Sequence, residues 1–165
     1  MGVSLDPAFV LIGGSAVTIA FYIAWSIGAN DVANSMGTSV GSRAISLGQA
    51  ILIAGIFEFT GAVLIGIHVT KTIQNGIIEP TFFSANPEVY VYGMLSALFA
   101  AAIWITVSTY FSLPISTSQS IVGALIGFGF IAVGPDALNW EKIIHIGESW
   151  ILSSITGMLL AFFIL

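Results

Sequence analysis

The sequence predicts an all-α polytopic membrane protein: a single membrane domain, 1–165, with about four full spans plus broken or re-entrant helices. Three observations carry that expectation. Hydrophobic residues make up 57% of the chain, charged residues only 7%, and the mean hydropathy is +1.04. Soluble domains hold about 25% charged residues. Apolar runs of roughly 20 residues recur, the length that crosses a hydrocarbon layer at about 1.5 Å per residue. Two clusters of small polar residues interrupt the oil, GANDVANSMG at 28–37 and LPISTSQS at 113–120. Lipid offers such groups no hydrogen bonds.

The elements follow in order. Span one is Ala8–Ile27. It has no basic region before it and no small-residue cleavage site after it, so it reads as a span and not a signal peptide. The helix is expected to break at the first polar cluster, near the midplane. Span two is Ile45–Ile67 and carries Glu58 near its middle. A polar connection from His68 to Pro87 contains Asn75-Gly76, Glu79-Pro80 and Asn86-Pro87 as helix breakers. Its length predicts a short interfacial helix or strand within it. Span three is Val89–Phe111. After LPISTSQS, the apolar piece Ile121–Val133 is too short to cross and suits a re-entrant half-helix. Gly134-Pro135-Asp136 turns the chain, and Leu138–His145 predicts an amphipathic surface segment anchored by Trp140. The last run, Ile146–Leu165, stops on AFFIL, which suits a cut chain or one paired with another polypeptide.

Charge and composition exclude several classes. Eight acids and three bases give a net charge of −5, too few charges for a nucleic-acid footprint. The absence of cysteine rules out disulfides and thiolate metal sites. Arg43, Lys71 and Lys142 are too few to orient the chain by the positive-inside rule. His68 and His145 sit near span ends and read as interface residues. No Ser-His-Asp pattern, zinc-protease motif, phosphate loop or dinucleotide fingerprint is present, so no enzyme is expected.

On a helix, Asp31, Asn34, Ser35 and Thr38 fall at i, i+3, i+4 and i+7, one polar stripe opposed by Val32, Ala33, Met36 and Val40. Such a stripe must face protein or a watery cavity. The oxygens of Asn30, Asp31 and Asn34 are hard ligands suited to a small hard cation. The alternative is a helix end with Asp31 paired to Arg43. Ser116, Thr117, Ser118, Gln119 and Ser120 follow Pro114, where a new helix would open with unpaired N–H groups beside hydroxyls. That is an anion site, and without lysine or arginine it suits a ligand that must leave again. The alternative is a kink whose hydroxyls bond back to carbonyls.

Glu58 has only small neighbours one turn away, Ala54, Gly55, Gly61 and Ala62. It is expected inside the bundle, because a midspan charge costs roughly 2.5–3.5 kcal/mol on insertion scales. It would be protonated, paired or holding a cation; the alternative is a neutral acid locking two helices. Gly37/Gly41 and Gly123/Gly127 have the spacing that promotes close helix packing.

GANDVANSMGTSVGS (28–42) and LPISTSQSIVGALIGFG (113–129) resemble the two signature stretches of the inorganic phosphate transporter (PiT) family. IFEFTGAVLIG (56–66) is similar to the matching family segment with its acid. The resemblance implies a secondary transporter that carries phosphate with sodium or, in some members, protons. It also implies two inverted repeats, each with one pair of motifs, so this chain would be the N-terminal repeat half. Asn30, Asp31 and Asn34 would then belong to the ion and phosphate centre, with sodium as the metal. Ser116, Thr117, Ser118 and Gln119 would form the tip of a phosphate-binding hairpin, and Glu58 would be an acid needed for transport. Many members have histidine where this chain has Gln119, and glutamine cannot titrate, which favours sodium over protons.

The expectation is therefore one inverted-repeat half of a sodium-coupled phosphate symporter, multi-pass in the cell (plasma or inner) membrane. No cofactor is implied beyond co-transported sodium. Its partners would be inorganic phosphate, sodium, the lipid bilayer, a second repeat half and a possible homo-oligomer, with no nucleic acid. Proton-coupled phosphate transport, a passive anion channel and a membrane interaction module stand as alternatives.

Overall fold

A computed structural model describes residues 7–164, so residues 1–6 and Leu165 of the expected domain lie outside the described residues. The chain folds into α1 (Pro7–Gly41), α2 (Leu47–Gly76), α3 (Pro87–Tyr110), α4 (Thr117–Ala132) and α5 (Trp140–Ile164). Short 3-10 turns cover Pro80–Phe83 and Pro135–Ala137. Helices α1, α2, α3 and α5 are long and apolar enough to cross a membrane, and α4 is not. The all-α polytopic expectation holds.

Three boundaries differ from the sequence reading. Helix α1 runs unbroken for 35 residues, straight through the first polar cluster. Nothing there forces a break: no proline is present, and Ser35 Oγ donates to the Asp31 carbonyl at 2.8 Å within the helix. The helix closes only at Arg43, which takes φ 62° while its N–H and that of Ala44 bond back to Val40 and Ser39. That is a left-handed C-terminal closure. Helix α2 opens with a reciprocal Ser46–Gln49 capping box and continues past Ile67 to Gly76. Thr70 and Thr72 donate to the Gly66 and His68 carbonyls, so these polar residues do not end the helix. The expected surface segment Leu138–His145 is mostly the first turn and a half of α5, continuous with the last span. Asn139 Oδ1 caps its start through the Lys142 N–H, and Trp140 Nε1 donates to the Pro135 carbonyl.

Helices α3 and α4 form a hairpin. Its two bases are pinned together by an antiparallel bridge between Ile78 and Leu138, with Glu79 N–H to Ala137 O at 3.1 Å and Asn139 N–H to Ile77 O at 3.0 Å. The expected structure in the polar connection is thus a 3-10 turn and this bridge. Ile77, Ile78, Phe83, Ala97, Val122, Leu125 and Leu138 make the buried core at the hairpin's base. The far end of the hairpin, residues 111–116, reaches α1. Tyr22 meets Thr106 and Asn30 meets Thr109, so α1 and α3 run the same way. The contact at Asp31 lies ten residues, about 15 Å, from the C-terminal end of α1.

In lipid, water exclusion does not drive helices together, so close packing must. The glycines that achieve it are Gly93 and Gly129. The Phe128 ring lies over Gly93, and a Cβ on Gly129 would sit 2.7 Å from Leu138 Cδ2. By contrast, a Cβ on Gly37, Gly41, Gly123 or Gly127 would meet nothing within 4 Å. Those pairs pack no neighbour among the described residues. Phe128 cannot swing away freely, because Phe83 and Tyr90 hold its ring at centroid distances of 5.6 and 6.4 Å. Gly93→Ala should therefore destabilise the fold by about 1–3 kcal/mol, read as a lower melting temperature in detergent. Phe128→Leu in the same chain should recover part of that loss.

Candidate functional site

Three nearby residues of α1 each grip a different part of the α3–α4 hairpin. Asn30 Nδ2 donates to Thr109 Oγ1 at 3.1 Å, at the end of α3. Asn34 Nδ2 donates to the Ile115 carbonyl in the turn at 3.2 Å and to Asn30 Oδ1 at 2.9 Å. Thr117 Oγ1, at the first residue of α4, donates to Asp31 Oδ2 at 3.0 Å. Asn30 and Thr117 are buried, with 4% and 6% of their surfaces exposed. Of the expected polar stripe on α1, Asp31 and Asn34 reach the hairpin, the acid meeting the second cluster, while Ser35 bonds back to its own helix.

The turn is built to end one helix and start another. Ser112 takes φ 56°, and the N–H groups of Ser112 and Leu113 bond to the Thr109 and Ser108 carbonyls. That closes α3 in the same left-handed way as α1, with Pro114 two residues on. Ser116 then caps α4, its Oγ accepting from the Gln119 N–H at 3.3 Å. The Thr117 and Ser118 N–H groups find no acceptor among the described residues. Asp31 Oδ1 and Asn34 Oδ1 likewise accept no hydrogen bond there. An unspent helix N-terminus thus adjoins unspent oxygens, which can receive an anion and a cation side by side.

The structure brings Asn30, Asp31, Asn34, Ser116 and Thr117 together, and sets Ser118 and Gln119 exposed on the same first turn. Of the hydroxyls after Pro114, only Ser120 follows the kink alternative among the described residues, donating back to the Ser116 carbonyl. Arg43 forms no ion pair there, so the Asp31–Arg43 alternative is absent. No three His, Cys, Asp or Glu side chains gather to hold a metal among the described residues.

Glu58 lies elsewhere. It lines a cavity of about 800 Å³ between α1 and α2, facing Ala29, Val32, Ala33 and Met36, and its side chain is exposed in this chain. The reason is the path of α2. Ala50 and Ala54 are buried, but no described residue from Gly55 to Ile73 is, so Glu58 continues their stripe where contact has ended. The expectation of an acid within the bundle is not met by these residues. Thr106, Thr109 and Tyr22 were not singled out from the sequence, although threonines at i and i+3 in an apolar span were the available signal.

Residues 27–165 match the model of the phosphate transporter family. The chain belongs to that family. It is 48% identical over 160 residues to a putative phosphate permease of Pyrococcus abyssi, covering 97% of this chain and 38% of that protein. It is 43% identical to the Arabidopsis thaliana inorganic phosphate transporter 2-1, chloroplastic, covering 99% of this chain and 28% of that protein. A solved sodium-dependent phosphate transporter superposes with a TM-score of 0.84 at 48% identity, over 90% of this chain and 37% of that one. The chain therefore spans well under half the length of these relatives.

The Thr117–Asp31 bond joins the two halves of the site, so its removal is informative. Thr117→Val keeps the shape and deletes the donor. It should lower stability by about 1–3 kcal/mol, seen as a reduced melting temperature, while Thr117→Ser should stay close to wild type.

Proposed function

We propose that this chain is one inverted-repeat half of a sodium-coupled inorganic phosphate symporter, a multi-pass transporter of the cell membrane and not an enzyme. The observation that carries the reading is the Asp31–Thr117 contact, which sets cation-binding oxygens against the open N-terminus of α4. Asp31, with the amide oxygens of Asn30 and Asn34, takes sodium. Ser116, Thr117, Ser118 and Gln119 take phosphate through hydroxyls, the side-chain amide and the free backbone N–H groups. Glu58 serves coupling or gating, completed by groups beyond these residues. Family membership and the sodium-dependent phosphate transporter that superposes on the chain support both ligands. That the relatives extend well beyond the stretch this chain matches supports a second half outside these residues. Alternating access follows from rocking one bundle against another around the centre.

Coupling is electrostatic. Bound sodium offsets the anion's charge and bound phosphate offsets the cation's, so each raises the other's affinity by the same factor, about 5–150-fold for typical coupling energies. The deciding experiment is ligand-dependent melting of the complete transporter, with uptake measured in parallel. Sodium should raise the melting temperature, phosphate should raise it further only with sodium present, and Asp31→Asn should abolish both effects and sodium-dependent uptake. Unchanged uptake by Asp31→Asn would remove the ion role. A passive channel would show uptake without a sodium requirement, and an interaction module would respond to neither ion.

Position 119 tests the choice of coupling ion. Gln119→His introduces a group that titrates near pH 6.5. Protonated below that pH, it adds a positive charge beside the phosphate site and should strengthen phosphate binding there. The ratio of variant to wild-type uptake, in which the titration of phosphate itself cancels, should rise as the pH falls from 7.5 to 5.5 (about one pH unit either side of that value). A ratio that does not change with pH would show that this position does not sense protons.

A further inference from the structure

The Asn30 amide is buried, and its two ends have different partners. Its nitrogen donates to Thr109 Oγ1, and its oxygen accepts from Asn34 Nδ2. The two ends of an amide are alike in shape, so hydrogen-bond partners alone decide which way it points. Thr109 decides it here. Its single hydroxyl proton goes to the Ile105 carbonyl at 2.8 Å, which leaves only lone pairs toward Asn30. A reversed amide would press its oxygen against those lone pairs and turn its N–H group on Asn34 Nδ2. Thr106 repeats the device one turn earlier: it donates to the Ala102 carbonyl at 2.7 Å, so Tyr22 must donate to it across the seam.

The direction set at Thr109 propagates. With the Asn30 oxygen facing Asn34, the Asn34 nitrogen is drawn to it and to the Ile115 carbonyl. Both donors of Asn34 are then spent inward, and its Oδ1 is the end left without a hydrogen bond among the described residues. Ile105, Thr109, Asn30, Asn34 and Ile115 form one relay whose donors point into the protein and which leaves one oxygen, Asn34 Oδ1, for a cation.

We propose that Thr109 is a positioning residue for the cation side of the site, orienting the Asn30 amide and through it the Asn34 carbonyl oxygen. The proposal rests on the reading of Asn30, Asp31 and Asn34 as sodium ligands. Thr109 itself touches no ligand.

The test is sodium-dependent phosphate uptake by the complete transporter. Thr109→Val keeps the volume and removes the acceptor. It should raise the sodium concentration for half-maximal uptake about tenfold, the worth of one hydrogen bond, with the maximal rate at saturating sodium within about twofold of wild type. Thr109→Ser restores the acceptor and should restore the sodium dependence. Tyr22→Phe removes the other hydroxyl tie between α1 and α3 without touching Asn30, and should leave the sodium dependence unchanged. A wild-type sodium dependence in Thr109→Val, equal impairment in Thr109→Ser, or an equal shift in Tyr22→Phe would each overturn the proposal. If Thr109→Val does not reach the membrane, Thr109→Ala takes its place. Failure of both to reach it while Thr109→Ser and Tyr22→Phe succeed would make the residue a folding requirement and overturn the proposal too. Asp31→Asn, run alongside, separates the two levels. Unchanged sodium dependence there sinks the sodium site itself, whereas a defective Asp31→Asn beside a normal Thr109→Val sinks only the role of Thr109.

Discussion

A polar group buried away from water in a membrane must find its partner within the protein, and the rest of this structure is arranged around that requirement. The α3–α4 turn carries polar groups against an apolar helix, about 15 Å from that helix's C-terminal end. Helix α1 answers with Asn34 on the Ile115 carbonyl and with Asn30 and Asp31 on the hydroxyls of Thr109 and Thr117 that flank the turn. Two ordinary membrane helices would have needed no such residues. The hairpin gives the polar cluster on α1 its partners, and the cluster gives the hairpin's end its own.

Satisfaction is incomplete on one side, and the proposed site is built on that incompleteness. Every donor of Asn30 and Asn34 seen to act is spent on the protein, whereas Asp31 Oδ1, Asn34 Oδ1 and the first N–H groups of α4 are not. Buried polar networks that close on themselves rigidify a core. One that closes only on its inner side is both a structural tie and a ligand-binding surface. On the proposed reading the three contacts to α1 serve stability and binding together, so a substitution among them has to be read on both scales.

Much of this was legible in the residues. The periodicity of Asp31, Asn34, Ser35 and Thr38 requires only helical spacing, and the helix start after Pro114 requires only local backbone chemistry. What misled was the step from polar to broken: the first cluster contains no proline, and its hydroxyls and amides are compatible with an unbroken helix. The spacing of Thr106 and Thr109 is visible in α3, but the roles of Thr109 and Tyr22 depend on which helix lies alongside, information that a single span does not carry. Glu58 shows the opposite error. Its small neighbours describe a surface ready for close packing, and in these residues α2 has already left α1 when it reaches that point.

The absence of a fixed positive side chain at the site has a consequence for the proposed transport cycle. Among the described residues no lysine or arginine stands beside α4's first turn, and the one charged side chain in the cluster is an acid. A multiply charged anion placed beside Asp31 in a low-dielectric setting would be opposed by that carboxylate, and the helix N-terminus supplies only about half a unit of positive charge. A bound sodium reverses the balance, because it neutralises the carboxylate and adds attraction at the same point. An arginine in its place would hold phosphate in every state of the cycle. A dissociable cation would hold it only while the cation is present, so in the proposed cycle the missing charge that makes binding conditional would also make release possible.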